Sequence, residues 1–211
     1  MYLAIEGVIG VGKTSLARLL QPMFDAELLL EVFEENPFLS DFYSDRHRYA
    51  FQTQIYFLLS RYHQQHDAVP RALASGDLIA DYTFAKDALF AGLNLFGDEI
   101  QTYEQVHNAL AERIPLPDLI VYLRVTTDVA MQRISMRDRS YERNMEYSYI
   151  DELNLAYDDF FDQLDELRVL IIDSTTLDFV SHPNDLEHVA DRIRQKLQIP
   201  PYQQHLPLEK S

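Results

Sequence analysis

One short segment limits the folds open to this chain more than any other. Residues 7–14 read Gly7-Val8-Ile9-Gly10-Val11-Gly12-Lys13-Thr14, which fits the pattern G-x-x-x-x-G-K-[ST]. Before it stands a short apolar run, Tyr2-Leu3-Ala4-Ile5, and after it Leu16, Leu19 and Leu20 recur at i, i+3, i+4. The segment is therefore expected to join a buried strand to a helix. Glycines let such a loop turn tightly, so that successive N–H groups point at phosphate oxygens. The helix that follows adds the positive end of its dipole. All eight residues, Gly7 to Thr14, are candidate ATP contacts. Lys13 is expected to reach the β- and γ-phosphates, and Thr14 to offer its hydroxyl to Mg²⁺.

Further apolar runs at 28–30, 78–80, 119–125 and 169–172 read as strands, separated by helical patterns. Continuous apolar runs suit parallel strands covered on both faces. The expected fold is α/β: a P-loop NTPase-type three-layer fold with a five-stranded parallel sheet flanked by helices. Helices are expected over 45–74, 98–113 and 150–167, with chain breaks at Asn36-Pro37 and Ser40-Asp41. The length of 211 residues suits one domain over 1–199. The tail 200–211, with three prolines and no periodicity, is expected to fray.

The net charge of −16, from 34 acidic and 18 basic residues, opposes nucleic acid and anionic membranes, which are bound through clustered Lys and Arg. An uncharged nucleoside meets no such repulsion. Apolar runs are too short to span a membrane, and neither a signal nor a transit peptide is expected. With no cysteine, disulfide and thiolate chemistry are excluded, and a cytoplasmic location is expected.

Ligands of open parallel sheets gather at the carboxyl ends of the strands, so the residues there are the candidates. The second strand is expected to end at Glu31, a carboxylate able to accept or orient a hydroxyl proton, with Glu34 and Glu35 as competitors. The third is expected to end at Asp81, either a Mg²⁺ ligand or an N-cap. Beyond the fourth, Arg133, Arg137, Arg139 and Arg143 concentrate positive charge in an acidic chain. Such arginines offset charge that develops in phosphoryl transfer, and they outline a lid at about 133–147. The competing reading pairs them with Asp128, Asp138 and Glu142 on a solvated face.

Together these residues resemble the deoxynucleoside kinases, in particular the branch of deoxycytidine, deoxyguanosine and bacterial deoxyadenosine kinases. The likeness runs from Gly7 to about Tyr157. It implies that Glu31, in Glu-Val-Phe-Glu-Glu-Asn-Pro-Phe-Leu, is the catalytic base. It further implies that Tyr43 and Glu142 bind the sugar 3′-hydroxyl, and that Gln54 reads the base. Gln54 and Arg61 also stand two helical turns apart, on one face. By the same likeness Arg61 pairs with Asp87, Phe90 lines the base pocket, and Arg133, Arg137 and Arg139 are the lid arginines.

Two positions depart from the family pattern. Tyr82 stands where an arginine usually follows the acid, and Val32 where a proline usually follows the glutamate. The missing arginine ordinarily helps hold the 5′-oxygen and the transferred phosphate, and Lys86 is the candidate substitute. The implied activity is transfer of the ATP γ-phosphoryl group to the 5′-hydroxyl of a deoxynucleoside in nucleotide salvage. Deoxyadenosine or deoxyguanosine is favoured, deoxycytidine stays open, and a homodimer is implied. The alternatives are a thymidylate-type monophosphate kinase and a non-catalytic nucleotide-binding subunit of the same fold.

Overall fold

The five residues of β1 (Tyr2–Glu6) are buried without exception, because this strand runs down the middle of the sheet. In the computed structural model, residues 1–164 and 168–200 are described, apart from the side chain of Glu34. The other strands are β2 (Ala26–Leu29), β3 (Asp77–Ala80), β4 (Leu119–Arg124) and β5 (Val169–Asp173), in the order β2-β3-β1-β4-β5, all parallel. The sheet thus has the expected strand number and direction.

Register decides what meets at the carboxyl edge. Ala80 lies beside both Ala4 and Leu29, so β2 and β3 end at one level while β1 runs two residues further, to Glu6. Leu30 and Asp81 leave the sheet together, and Gly7 follows β1 just beyond them.

The helices are α1 (Lys13–Phe24), α2 (Leu39–Ser44), α3 (Arg46–Ser75), α4 (Lys86–Asn94), α5 (Asp98–Ala111), α6 (Thr127–Arg137), α7 (Tyr147–Asp162) and α8 (Pro183–Leu197). Asp45 caps α3, its side chain accepting from the Arg48 N–H. Leu16, Leu20, Ile5, Val121, Tyr157 and Ile193 belong to one large core, which spans the sheet and helices of both covering layers.

Some boundaries differ from expectation. β2 stops at Leu29, so Glu31 lies just past the strand instead of ending it. Ser40-Asp41, read as a chain break, lies in the first turn of α2, where an acidic side chain suits the helix dipole. The helix expected over 150–167 starts earlier, at Tyr147, and ends at Asp162. α3 and α5 end within a few residues of their expected limits. The tail 201–211 lies outside the described residues. Among these, no helix is long and apolar enough to cross a membrane.

Candidate active site

The phosphate loop is held by close approaches that exclude a side chain at its first glycine. Gly7 has φ +145, and a Cβ there would lie 2.5 Å from the Leu123 carbonyl oxygen at the end of β4. Gly7→Ala is therefore expected to destabilise the fold by about 2 kcal/mol or more, read as a lowered Tm, because both the backbone angle and the space are wrong. Lys13 folds back over the loop, its ammonium donating to the carbonyls of Gly7 (2.7 Å) and Val8 (3.1 Å).

At the strand ends Asp81 makes two bonds at once. One carboxylate oxygen accepts from the Thr14 hydroxyl and the other from the Glu31 N–H at 2.8 Å. Asp81 does not cap α4, which begins at Lys86. Among the described residues no group of three or more His, Asp or Glu could hold a metal. Thr14 and Asp81 nevertheless present two hard oxygen donors side by side, the ligand type that Mg²⁺ takes when phosphates and water supply the rest.

Glu31 sits between two cations. Its Oε1 accepts from Arg61, with Nε at 2.8 Å and Nη2 also in contact, and its Oε2 accepts from the Lys86 ammonium at 2.7 Å. Burial alone would raise the Glu31 carboxyl, but Arg61 and Lys86 overcome it and hold the group well below its ordinary 4.5. Arg61 also meets Asp87, which has no exposed side-chain surface, so the chain of charges runs Lys86–Glu31–Arg61–Asp87.

The strand-end residues open into one cavity. Its lining includes Lys13, Thr14, Glu31, Asp81 and Lys86 together with Tyr43, Gln54, Phe57, Phe90 and Tyr149. Gln54 is 2% exposed, and its side-chain carbonyl has no protein partner. Glu142 is gripped by Arg137, with Nη2 at 2.6 and 2.7 Å and Nε at 3.2 Å. Burial first, then the nearby Tyr149 and Glu142, push the Tyr43 phenol well above its ordinary value. Arg139 stands 4.1 Å over the Phe33 ring, and Tyr141 stacks on Tyr43, so residues 139–142 pack against other lining residues of the cavity.

A second cavity lies across the loop, lined by Gly10, Gly12, Arg133, Arg137 and the β5–α8 segment 175–181. The expected lid arginines divide between distinct roles. Arg133 donates to the backbone carbonyls of Val11, Ser174 and Leu177, at 2.9–3.1 Å, tying the phosphate loop to that segment. Arg137 lines both cavities. Arg143 pairs with Asp138 on the exposed side, which matches the solvated-face reading for that one arginine.

The deoxynucleoside kinase family model matches residues 3–198. The chain belongs to the deoxynucleoside kinase family. It is an ATP-dependent phosphotransferase of that kind. The kinase is 34% identical to the deoxyguanosine kinase of Bacillus subtilis (strain 168) over 92% of this chain and 96% of that protein. It is 33% identical to a deoxyadenosine kinase of Dictyostelium discoideum, over 77% of this chain and 67% of the relative. Among solved structures, the deoxyadenosine kinase of M. mycoides with products dCMP and dCDP superposes with a TM-score of 0.81. It is 27% identical, and the match covers 92% of this chain and all of that one.

Several residues of the kinase site escaped the reading of the sequence. Phe33, Phe57, Tyr141 and Tyr149 line the first cavity, and the 175–181 segment lines the second. The signal for that segment was its place after β5, at the same sheet edge as the others. Asn36 pins the loop after Glu31: its amide donates to the Thr53 carbonyl at 3.2 Å and its oxygen accepts from the Phe38 N–H at 3.0 Å. Tyr82, beside Asp81, has no exposed surface and packs away from the cavity against Tyr2, Leu29 and Val69.

Proposed function

We propose that this kinase transfers the γ-phosphoryl group of ATP to the 5′-hydroxyl of a purine deoxynucleoside. The observation that carries the reading is Glu31, a carboxylate kept ionised where the phosphate loop and an aromatic-lined pocket share one cavity. In this reading the 5′-oxygen attacks the γ-phosphorus, and the bond to the bridging oxygen breaks with its electron pair leaving on ADP. The hydroxyl proton passes to Glu31. Lys13 and the loop N–H groups hold the donor phosphates, with the donor's base in the cavity beside 175–181. Residues 133–147 act as the lid of a single kinase domain over 1–199, and Arg133, Arg137 and Arg139 are its donor-side arginines. Arg133 acts through the loop and the β5–α8 segment that it joins. Thr14 and Asp81 would hold Mg²⁺, which offsets charge on the phosphates when bound.

On the acceptor side, Tyr43 and Glu142 take the 3′-hydroxyl. Gln54 and Arg61 meet the base edge, with Asp87 buried behind and paired to Arg61, and Phe90 covers its ring. The unpartnered Gln54 carbonyl is an acceptor suited to an exocyclic amine. A purine is favoured because curated relatives bear the names deoxyguanosine and deoxyadenosine kinase. A role in nucleotide salvage and a homodimer rest on the family resemblance, and a cytoplasmic home on the absence of cysteine.

The test is kcat/KM for the four deoxynucleosides with Mg-ATP. Deoxyguanosine or deoxyadenosine is expected to lead deoxycytidine, with thymidine at least about 100-fold behind because the buried polar groups would be left unpaired. A clear thymidine preference overturns the substrate assignment. Phosphorylation of dTMP alone would point instead to a monophosphate kinase.

A further inference from the structure

The site holds a second buried ammonium that the phosphate loop does not require. Lys86 is 5% exposed, yet it is the first residue of α4. That is an unfavourable place for a cation, since the N-terminal end of a helix dipole is positive. Its ammonium has three N–H donors, and one goes to Glu31 Oε2 at 2.7 Å. The Phe90 and Tyr82 rings lie 5.8 and 5.9 Å from Nζ. Lys86 lines the same cavity as Lys13, Thr14 and Asp81.

The neighbouring strand end explains why charge enters from α4. The Tyr82 hydroxyl donates to Gln64 Oε1 at 2.5 Å, and Gln64 Nε2 donates to the Leu30 carbonyl at 2.8 Å. Tyr82 therefore braces the backbone that leads into Glu31 and brings no charge to the cavity. Among cavity-lining residues, the ammonium nearest the Glu31 carboxylate is that of Lys86.

We infer that Lys86 is a catalytic residue: its ammonium follows the negative charge from Glu31 to the phosphoryl oxygens as they reach the acceptor's 5′-oxygen. The inference rests on the deoxynucleoside reading of the site. When Glu31 takes the hydroxyl proton it becomes neutral, and its hold on the ammonium weakens. At the same moment the γ-phosphoryl group loses its bond to ADP and bonds to the 5′-oxygen. The new monophosphate carries the charge that Lys86 then meets. Such a contact is stronger after transfer than before it, which is what raises turnover.

Lys86→Met in the full chain is expected to lower kcat by about 100-fold, the usual loss for one such donor. Affinity for the deoxynucleoside should stay within about threefold, while affinity for its 5′-monophosphate falls about tenfold or more. Lys86→Arg should restore most of both. If the methionine variant fails to fold, Lys86→Gln, which keeps a donor for Glu31, is measured in its place. Turnover within about threefold of the parent, or equal losses of nucleoside and monophosphate affinity, overturns the inference. A parent that phosphorylates no deoxynucleoside sinks the substrate reading itself. An active parent with an unimpaired Lys86→Met variant sinks only the role of Lys86.

Discussion

Glu31→Gln is expected to lower kcat by about 10²–10⁴-fold while leaving affinity for ATP nearly unchanged. The glutamine amide cannot take the hydroxyl proton, and it must turn an N–H towards Arg61 or Lys86, which are both donors. The depressed carboxyl also shapes the pH profile. A weak base orients its partner well and accepts the proton late, so kcat/KM should show no acid limb from Glu31 above about pH 5. The linkage has a definite sign. Because the folded value lies below the unfolded 4.5, the group stabilises the fold fully above that pH, and the contribution is lost on acidification through the folded value. The melting difference between parent and Glu31→Gln should therefore narrow only below about pH 4.5. Turnover retained within about threefold in the variant would remove Glu31 as the proton acceptor.

Why Glu31 could be found in the sequence, and Lys86 only in part, is a matter of interaction range. The phosphate loop is local: its glycines, lysine and flanking periodicity all lie within twenty residues. The strands were legible because parallel strands covered on both faces read as unbroken apolar runs. Their ends were less so. Leu30 is as apolar as Leu29, but its carbonyl bonds to the Gln64 side chain instead of a neighbouring strand, so the sheet stops before it. The triad Glu31, Arg61 and Lys86 joins β2's exit to α3 and α4, across separations that no local pattern encodes.

Tyr82 had a signal that went unused. Side chains alternate across a strand, so a residue following a cavity-facing Asp81 is directed to the other face. That alternation accounts for its place in the small core with Tyr2 and Leu29. Arg133 had none for the backbone it ties: charge clustering and the family likeness marked it as a lid arginine, but only the folded chain brings the carbonyls of Val11, Ser174 and Leu177 within its reach.

The second large effect belongs to Lys13. Lys13→Met is expected to lower turnover by about 10²–10³-fold, as loss of a cation aimed at developing phosphate charge should. The more telling result is a change in how binding responds to pH. Burial, then repulsion by Lys86, outweighs the attraction of Glu6, Glu31 and Asp81, and brings the Lys13 ammonium down from 10.5 to about 8. In the parent, ATP affinity should be flat below that pH and weaken by up to about tenfold per unit above it, because the neutral amine must regain a proton to meet the phosphates. Calorimetry in buffers of different ionisation enthalpy should show proton uptake on binding near pH 8.5. Stability of the unliganded fold runs the other way. Between about 8 and 10.5 the unfolded chain keeps a proton that the folded lysine has lost, so the cost of burying this group falls, and stability rises, as pH increases. Lys13→Met should abolish both effects, and Lys86→Met should move the inflection of the parent upwards by removing one repulsion. An ATP affinity that stays flat from pH 7 to 9.5 in the parent would mean that the loop lysine is charged throughout. The charges of Glu6, Glu31 and Asp81 would then outweigh its burial.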